Sequence, residues 1–114
     1  MKIEREIELD AGPDEVWAAL TEAEQLEQWF ANDVEIDPTP GGRAVFQWDD
    51  GDVRRATVEQ VDEGERILLR FDDDGTVDLR VVPVEQGTRV VVRETAPTFA
   101  AALELRALAA CATR

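Results

Sequence analysis

From residue 2 to residue 9 the chain alternates. Ile3, Ile7 and Leu9 share one parity with Arg5, while Glu4, Glu6 and Glu8 occupy the other. Period-two alternation predicts a half-buried strand, here with one charge facing inward or at an end. Asp10 to Pro13 breaks the pattern, and Pro13 suits the first turn of a helix whose dipole Asp14 and Glu15 complement. Val16, Trp17 and Leu20 then give an apolar face, so the first helix is expected over about residues 13 to 20. Thr21 with Glu24 three positions on has the form of a capping box, and Leu26, Trp29 and Phe30 follow at helical spacing. A second short helix ending near Ala31 is predicted.

After "NDVEIDPTPGG", read as a brief strand around Val34 to Ile36 and a turn, the alternation returns to period two. Ala44, Phe46 and Trp48 share one face, "DDGD" turns the chain, and Val53 to Val61 runs back. Three further strands are predicted near 65–71, 76–84 and 87–95, turning at "DDDG" and "EQG". Short turns between consecutive strands make an antiparallel meander. From Thr98 the composition switches to alanine and leucine, which predicts a C-terminal helix. Phe99, Leu103 and Ala110 lie on one stripe with Arg106, and Leu105, Leu108 and Ala112 on another. The reading is α+β, a single domain over residues 1–114, of a size that can bury a core without a disulfide or a metal.

Charge narrows the function. A net charge of -14 repels phosphate backbones and anionic headgroups, which argues against nucleic acid and membrane surfaces as partners. Lys2 is the only lysine, a usage that suits either a high-salt cytoplasm or a GC-rich genome. Cys111 is the only cysteine, and neither a signal peptide nor a membrane span is evident, so a cytoplasmic protein is expected. The chain has no histidine or tyrosine, which removes histidine-based triads and the commonest general base. The acidic turns lack the ligand spacing of a calcium loop, and no metal or cofactor is expected. Catalysis would have to use Asp or Glu as base and Arg as electrophile, and a carboxyl with a raised pKa in an apolar site would be its sign.

Three stretches carry a resemblance: "DAGPDEVWAAL" at 10–20, "LEQWF" at 26–30 and "PTPGGRAVFQW" at 38–48. In this order the chain resembles the START/SRPBCC superfamily, specifically its bacterial branch similar to heat-shock-ATPase activators and polyketide cyclases. The resemblance implies a helix-grip fold: a curved antiparallel sheet of six to seven strands, two short helices after the first strand, and a C-terminal helix packed on the sheet. It also implies a cavity between sheet and helix that binds apolar small molecules in many relatives. Only "APT" separates the last strand from Phe99, shorter than relatives usually have.

Within that frame the candidate ligand-binding residues are Trp29, Phe30, Phe46, Trp48, Arg55, Phe71, Phe99 and Leu103. The aromatics fit an apolar pocket or an ordinary core, core being the better reading for Trp17 and Phe46. Arg54 and Arg55 are adjacent, so one of them must face inward. Arg55 at the cavity would hold a ligand carboxylate in a bidentate fork. The plainer reading of the strand arginines is cross-strand pairing with Glu59, Asp78 and Glu94 on the outer face. The expected function is non-enzymatic binding of a small hydrophobic molecule or lipid. The alternatives are a protein-interaction module, co-chaperone-like or homodimeric through the second apolar stripe, or a cyclase- or hydrolase-type enzyme.

Overall fold

The computed structural model of the chain describes residues 2–72 and 74–95. Chain order is β1 (Lys2–Leu9), α1 (Pro13–Thr21), α2 (Ala23–Trp29), β2 (Asp33–Ile36), β3 (Arg43–Gln47), β4 (Val53–Asp62), β5 (Arg66–Phe71), β6 (Thr76–Val84) and β7 (Gly87–Thr95). The strands form one curved seven-stranded sheet in the order β1-β7-β6-β5-β4-β3-β2, antiparallel throughout. Strands β2 to β7 pair with their sequence neighbours, and β1 closes on β7 because the two helices carry the chain from one edge of the sheet to the other. The α+β helix-grip architecture is thus present. The predicted C-terminal helix lies outside the described residues.

Pairing register sorts the strand residues into two faces. Leu9 on β1, Val90 and Val92 on β7, Val77, Leu79 and Val81 on β6, and Ile67, Leu69 and Phe71 on β5 all join one buried cluster. Ala56 and Val58 on β4, Ala44 and Phe46 on β3, and Val34 on β2 complete it. Both helices lie on this inner face, adding Val16, Ala19, Leu20, Leu26 and Trp29. Glutamates and arginines occupy most of the outer face, as alternation requires.

A register shift between Val58 and Gln60 makes Glu59 the extra residue of a bulge in β4. Val58 and Val61, three apart, can then both face inward. Opposite the bulge, Gly41 N–H donates to the Val58 carbonyl and Val58 N–H to the Gly42 carbonyl, at 2.7 and 2.8 Å. A Cβ on Gly42 would stand 2.2 Å from the Asp37 carbonyl oxygen, so this turn requires glycine.

The capping box expected at Thr21 and Glu24 does not form. Thr21 belongs to α1, where its hydroxyl donates to the Trp17 carbonyl at 2.8 Å. Glu22 takes the N-cap position of α2 without a side-chain cap. A helix already running through Thr21 places that hydroxyl beside the preceding turn, and back-bonding replaces the cap.

Candidate functional site

Two features of the inner face stand apart from ordinary core, an aromatic cluster at the β2–β3 end and an ion pair near the β1–β7 edge. Phe30, just after α2, is the hub of the cluster. Its ring meets Phe46 edge-on at 5.1 Å and Trp48 edge-on at 5.3 Å, with Trp29 tilted at 5.4 Å. Phe46 in turn contacts Phe71 at 6.0 Å. The indoles are tied to backbone: Trp29 Nε1 donates to the Ala19 carbonyl and Trp48 Nε1 to the Phe30 carbonyl, each at 2.8 Å. These bonds join α2 to α1 and β3 to the end of α2.

Between the helices and the sheet the cluster leaves a cavity of about 20 Å³, bounded by apolar side chains that include Leu26, Phe30, Phe46, Leu69 and Val77. That volume holds about one water, whereas small-molecule pockets run to several hundred Å³. The described aromatic end is therefore packed by its own side chains, with Phe30 only half-buried at its margin.

Glu94 is the buried carboxylate of a largely apolar inner face. It follows Thr88, Val90 and Val92 on the inward parity of β7 and is 1% exposed. One carboxylate oxygen accepts from Arg5 Nη2 at 3.5 Å, and among the described residues Oε1 has no hydrogen-bond partner. Burial pushes the Glu94 carboxyl above the usual carboxylate range, and the nearby Arg5 guanidinium offsets this only in part. Arg5, a third exposed, occupies the inward parity expected from its place among Ile7 and Leu9.

Register links the two features. Glu94 pairs with Val77, which pairs with Leu69 on β5, and both partners line the small cavity. Strands lie about 4.8 Å apart, so a row of about 10 Å connects the buried carboxyl to the rim of the aromatic cluster.

The outer face carries the arginine pairing expected of the strands. Arg70 pairs with Glu59, Arg66 with Asp78 in a bidentate fork at 2.9 and 3.0 Å, Arg93 with Glu4 at 3.3 Å and Arg89 with Glu8 at 3.7 Å. The hydrogen bond from Arg70 draws the Glu59 carboxyl below its ordinary range. Glu94 does not join these pairs as expected, because its parity turns it inward.

Of the candidate ligand residues, Trp29, Phe30, Phe46, Trp48 and Phe71 come together in one cluster. Arg55 does not join them. It pairs with Val45 and stands exposed on the outer face, while Arg54, opposite Phe46, takes the inward parity. The bulge at Glu59 explains the misplacement: apolar residues fall on both parities of β4, so sequence alternation could not choose between the two arginines. Phe99 and Leu103 lie outside the described residues. The ionic pair of Arg5 and Glu94 was missed as a unit. Its signal was the shared parity of Arg89 and Arg93, which marks their side of β7 as outer and leaves Glu94 inside.

Among the described residues no helix is long and apolar enough to cross a membrane. The family model "Activator of Hsp90 ATPase homolog 1-like protein" matches residues 10–110. No curated protein matches the chain. Several solved structures share the fold. The Aha1 dimer from Colwellia psychrerythraea superposes with a TM-score of 0.78 at 19% identity, covering 89% of this chain and 83% of that one. An AHSA1-like protein from Aeromonas hydrophila gives 0.77 at 23% identity, covering 87% and 77%. DynU16, a protein of the dynemicin biosynthetic locus, gives 0.84 at 21% identity over 96% of this chain, which spans only 46% of DynU16. At these identities the likeness establishes the fold alone.

Proposed function

Since the chain belongs to the activator of Hsp90 ATPase homolog 1-like family, we propose that it is a binding module for a small, largely apolar molecule. The ligand lies along the inner face of the sheet, and its one polar group is held by Glu94 and Arg5. The observation that carries this reading is that Oε1 of the buried Glu94, on a largely apolar surface, has no hydrogen-bond partner among the described residues. A buried polar atom without a partner is costly, and a ligand hydroxyl or N–H donated to it would remove that cost. Apolar burial supplies the rest, about 4 kcal/mol for roughly 150 Å² at 25 cal/mol per Å². Phe30, half-buried at the end of the row from Glu94, is the side chain whose rotation would enlarge the cavity.

Two other readings have some support. Glu94, with its raised pKa beside a guanidinium, has the form of a general base next to an electrophile, which favours acid–base catalysis as the second reading. Homodimerisation is favoured by the dimeric Colwellia relative. Against it, Val82 is the one exposed large hydrophobic among the described residues, so they offer no apolar interface.

Native mass spectrometry of freshly purified protein tests the proposal. The native chain is expected to retain a reproducible small-molecule adduct that Glu94→Leu loses while remaining folded. A clean apo mass for both would overturn binding, and release of a chemically altered compound on incubation would favour the enzyme. The same spectra report stoichiometry.

A further inference from the structure

The opposite face of the sheet holds a second feature, which borders the first only at Glu94. A groove of about 490 Å³ opens on the outer surface of β5, β6, β7 and β1, bounded by Arg66, Leu68, Asp78, Arg80, Arg93 and Glu4 among others. Its volume is within the range of small-molecule sites.

The arginines are set by register. Arg66 on β5 stands directly opposite Arg80 on β6, and Asp78, two residues before Arg80, stands opposite Arg93 on β7. Arg80 and Arg93 are therefore diagonal neighbours, whose backbones lie about 7–8 Å apart. Like charges directly opposite one another destabilise a sheet unless something between them compensates.

Here the compensation is a single carboxylate. Asp78, 8% exposed, is taken bidentately by Arg66 at 2.9 and 3.0 Å. Arg80 reaches the same carboxylate only through two contacts of 3.4 Å, longer than a normal charge-assisted bond. Arg93 turns away to Glu4 at 3.3 Å. The side chains of Arg80 and Arg93 are 41% and 55% exposed. Three guanidiniums thus face the carboxylates of Asp78 and Glu4, the third acidic residue of the lining, Glu94, being turned to the other face by its parity on β7; the net charge of the chain is -14.

We propose that this groove binds a small oxyanion, a carboxylate- or phosphate-bearing molecule whose oxygens bridge Arg80 and Arg93 above Asp78. The guanidinium fork matches both oxyanions, and the two loosely engaged arginines have donors to give. Arg66, held bidentately by Asp78, forms the floor. Long-range repulsion from the rest of the chain is screened beyond about 8 Å at physiological salt, so contact chemistry decides the binding.

The test is an NMR titration of arginine Nε–Hε resonances with citrate and, separately, pyrophosphate, at constant ionic strength. Saturable shifts confined to Arg66, Arg80 and Arg93 are expected, with Arg80→Gln and Arg93→Gln each weakening binding by roughly tenfold. Both positions are exposed enough that the variants should fold, which the unchanged remainder of the spectrum will show. Preference for citrate assigns a carboxylate ligand and preference for pyrophosphate a phosphate one. Even shifts at Arg43 and Arg55, no saturation, or unchanged affinity in both variants would overturn the site. Because the inner-face ligand is read through Glu94 and Arg5, and this titration through Arg66, Arg80 and Arg93, either proposal can fail without the other.

Discussion

Glu94 takes up a proton more readily in the folded chain than in the unfolded one, because burial disfavours its charge more than Arg5 favours it. An unfolded glutamate titrates near about 4.3. The folded group titrates above that, so stability is full below the unfolded pKa and falls as pH rises through the window up to the folded value. Above the window the penalty persists. Glu94→Gln removes the buried charge while keeping the shape, and Arg5 remains a third exposed to water. The variant is expected to be more stable than the native chain at pH 7.5 by on the order of 1 kcal/mol, with the difference fading below about pH 4. Urea midpoints at both pH values check this, and a variant less stable at pH 7.5 would mean the Arg5 pair outweighs the desolvation. The inward charge of Arg5 was legible because β1 alternates without interruption. Glu94 was harder to read, since valine occupies both parities of β7 and only Arg89 and Arg93 distinguish them.

At the scale of elements, β1 is an edge strand whose place depends on one turn. Gly87 opens β7 with a φ of +151°, and a Cβ there would stand 2.1 Å from the Leu9 carbonyl oxygen. Thr88 adds a hydroxyl donated to the Ala11 carbonyl at 2.8 Å. The turn between β6 and β7 is thereby pressed against the end of β1. Gly87→Ala is expected to cost about 1–3 kcal/mol, as forced overpacking does, and to act locally. Hydrogen exchange should show faster exchange of the β1 amides paired with β7, with β3 and β4 unchanged. Loss of protection spread evenly over the sheet would instead make the turn a global determinant. The turns themselves were largely readable: "DDGD" and "EQG" reverse the chain where expected, and strand limits fall within a residue or two. What alternation could not supply was the bulge at Glu59, next to the Val58 backbone to which Gly41 and Gly42 hydrogen-bond. Without it β4 presents two conflicting parities, and Arg55 is drawn to the wrong face. Thr21 failed as a cap for a related reason, since local pattern does not reveal that two helices meet with a single residue between them.

For the whole molecule the decisive quantity is charge. Arginine and carboxylate are matched on the outer face of the sheet, so much of the excess behind the net charge of -14 falls in turns and helices, at Asp14, Glu15, Glu22 and Glu24 and in Asp49 to Asp52. Self-repulsion of this kind disfavours a compact chain. Salt shortens the screening length from about 10 Å at 0.1 M to about 3 Å at 1 M, which relieves repulsion between charges too far apart to pair. It also weakens exposed pairs such as Glu4 with Arg93 and Glu8 with Arg89, but each of these contributes at most about 1 kcal/mol. The repulsive sum runs over many more pairs and should dominate. The urea midpoint is therefore expected to rise as KCl is raised from 0.1 to 1 M, with most of the gain at the low end where the screening length changes fastest. Potassium chloride is the appropriate salt, because sulfate would strengthen apolar burial by exclusion and confuse the two effects. A midpoint that falls steadily with KCl would show that the outer-face ion pairs, and not the acidic turns, set the electrostatic balance of the fold.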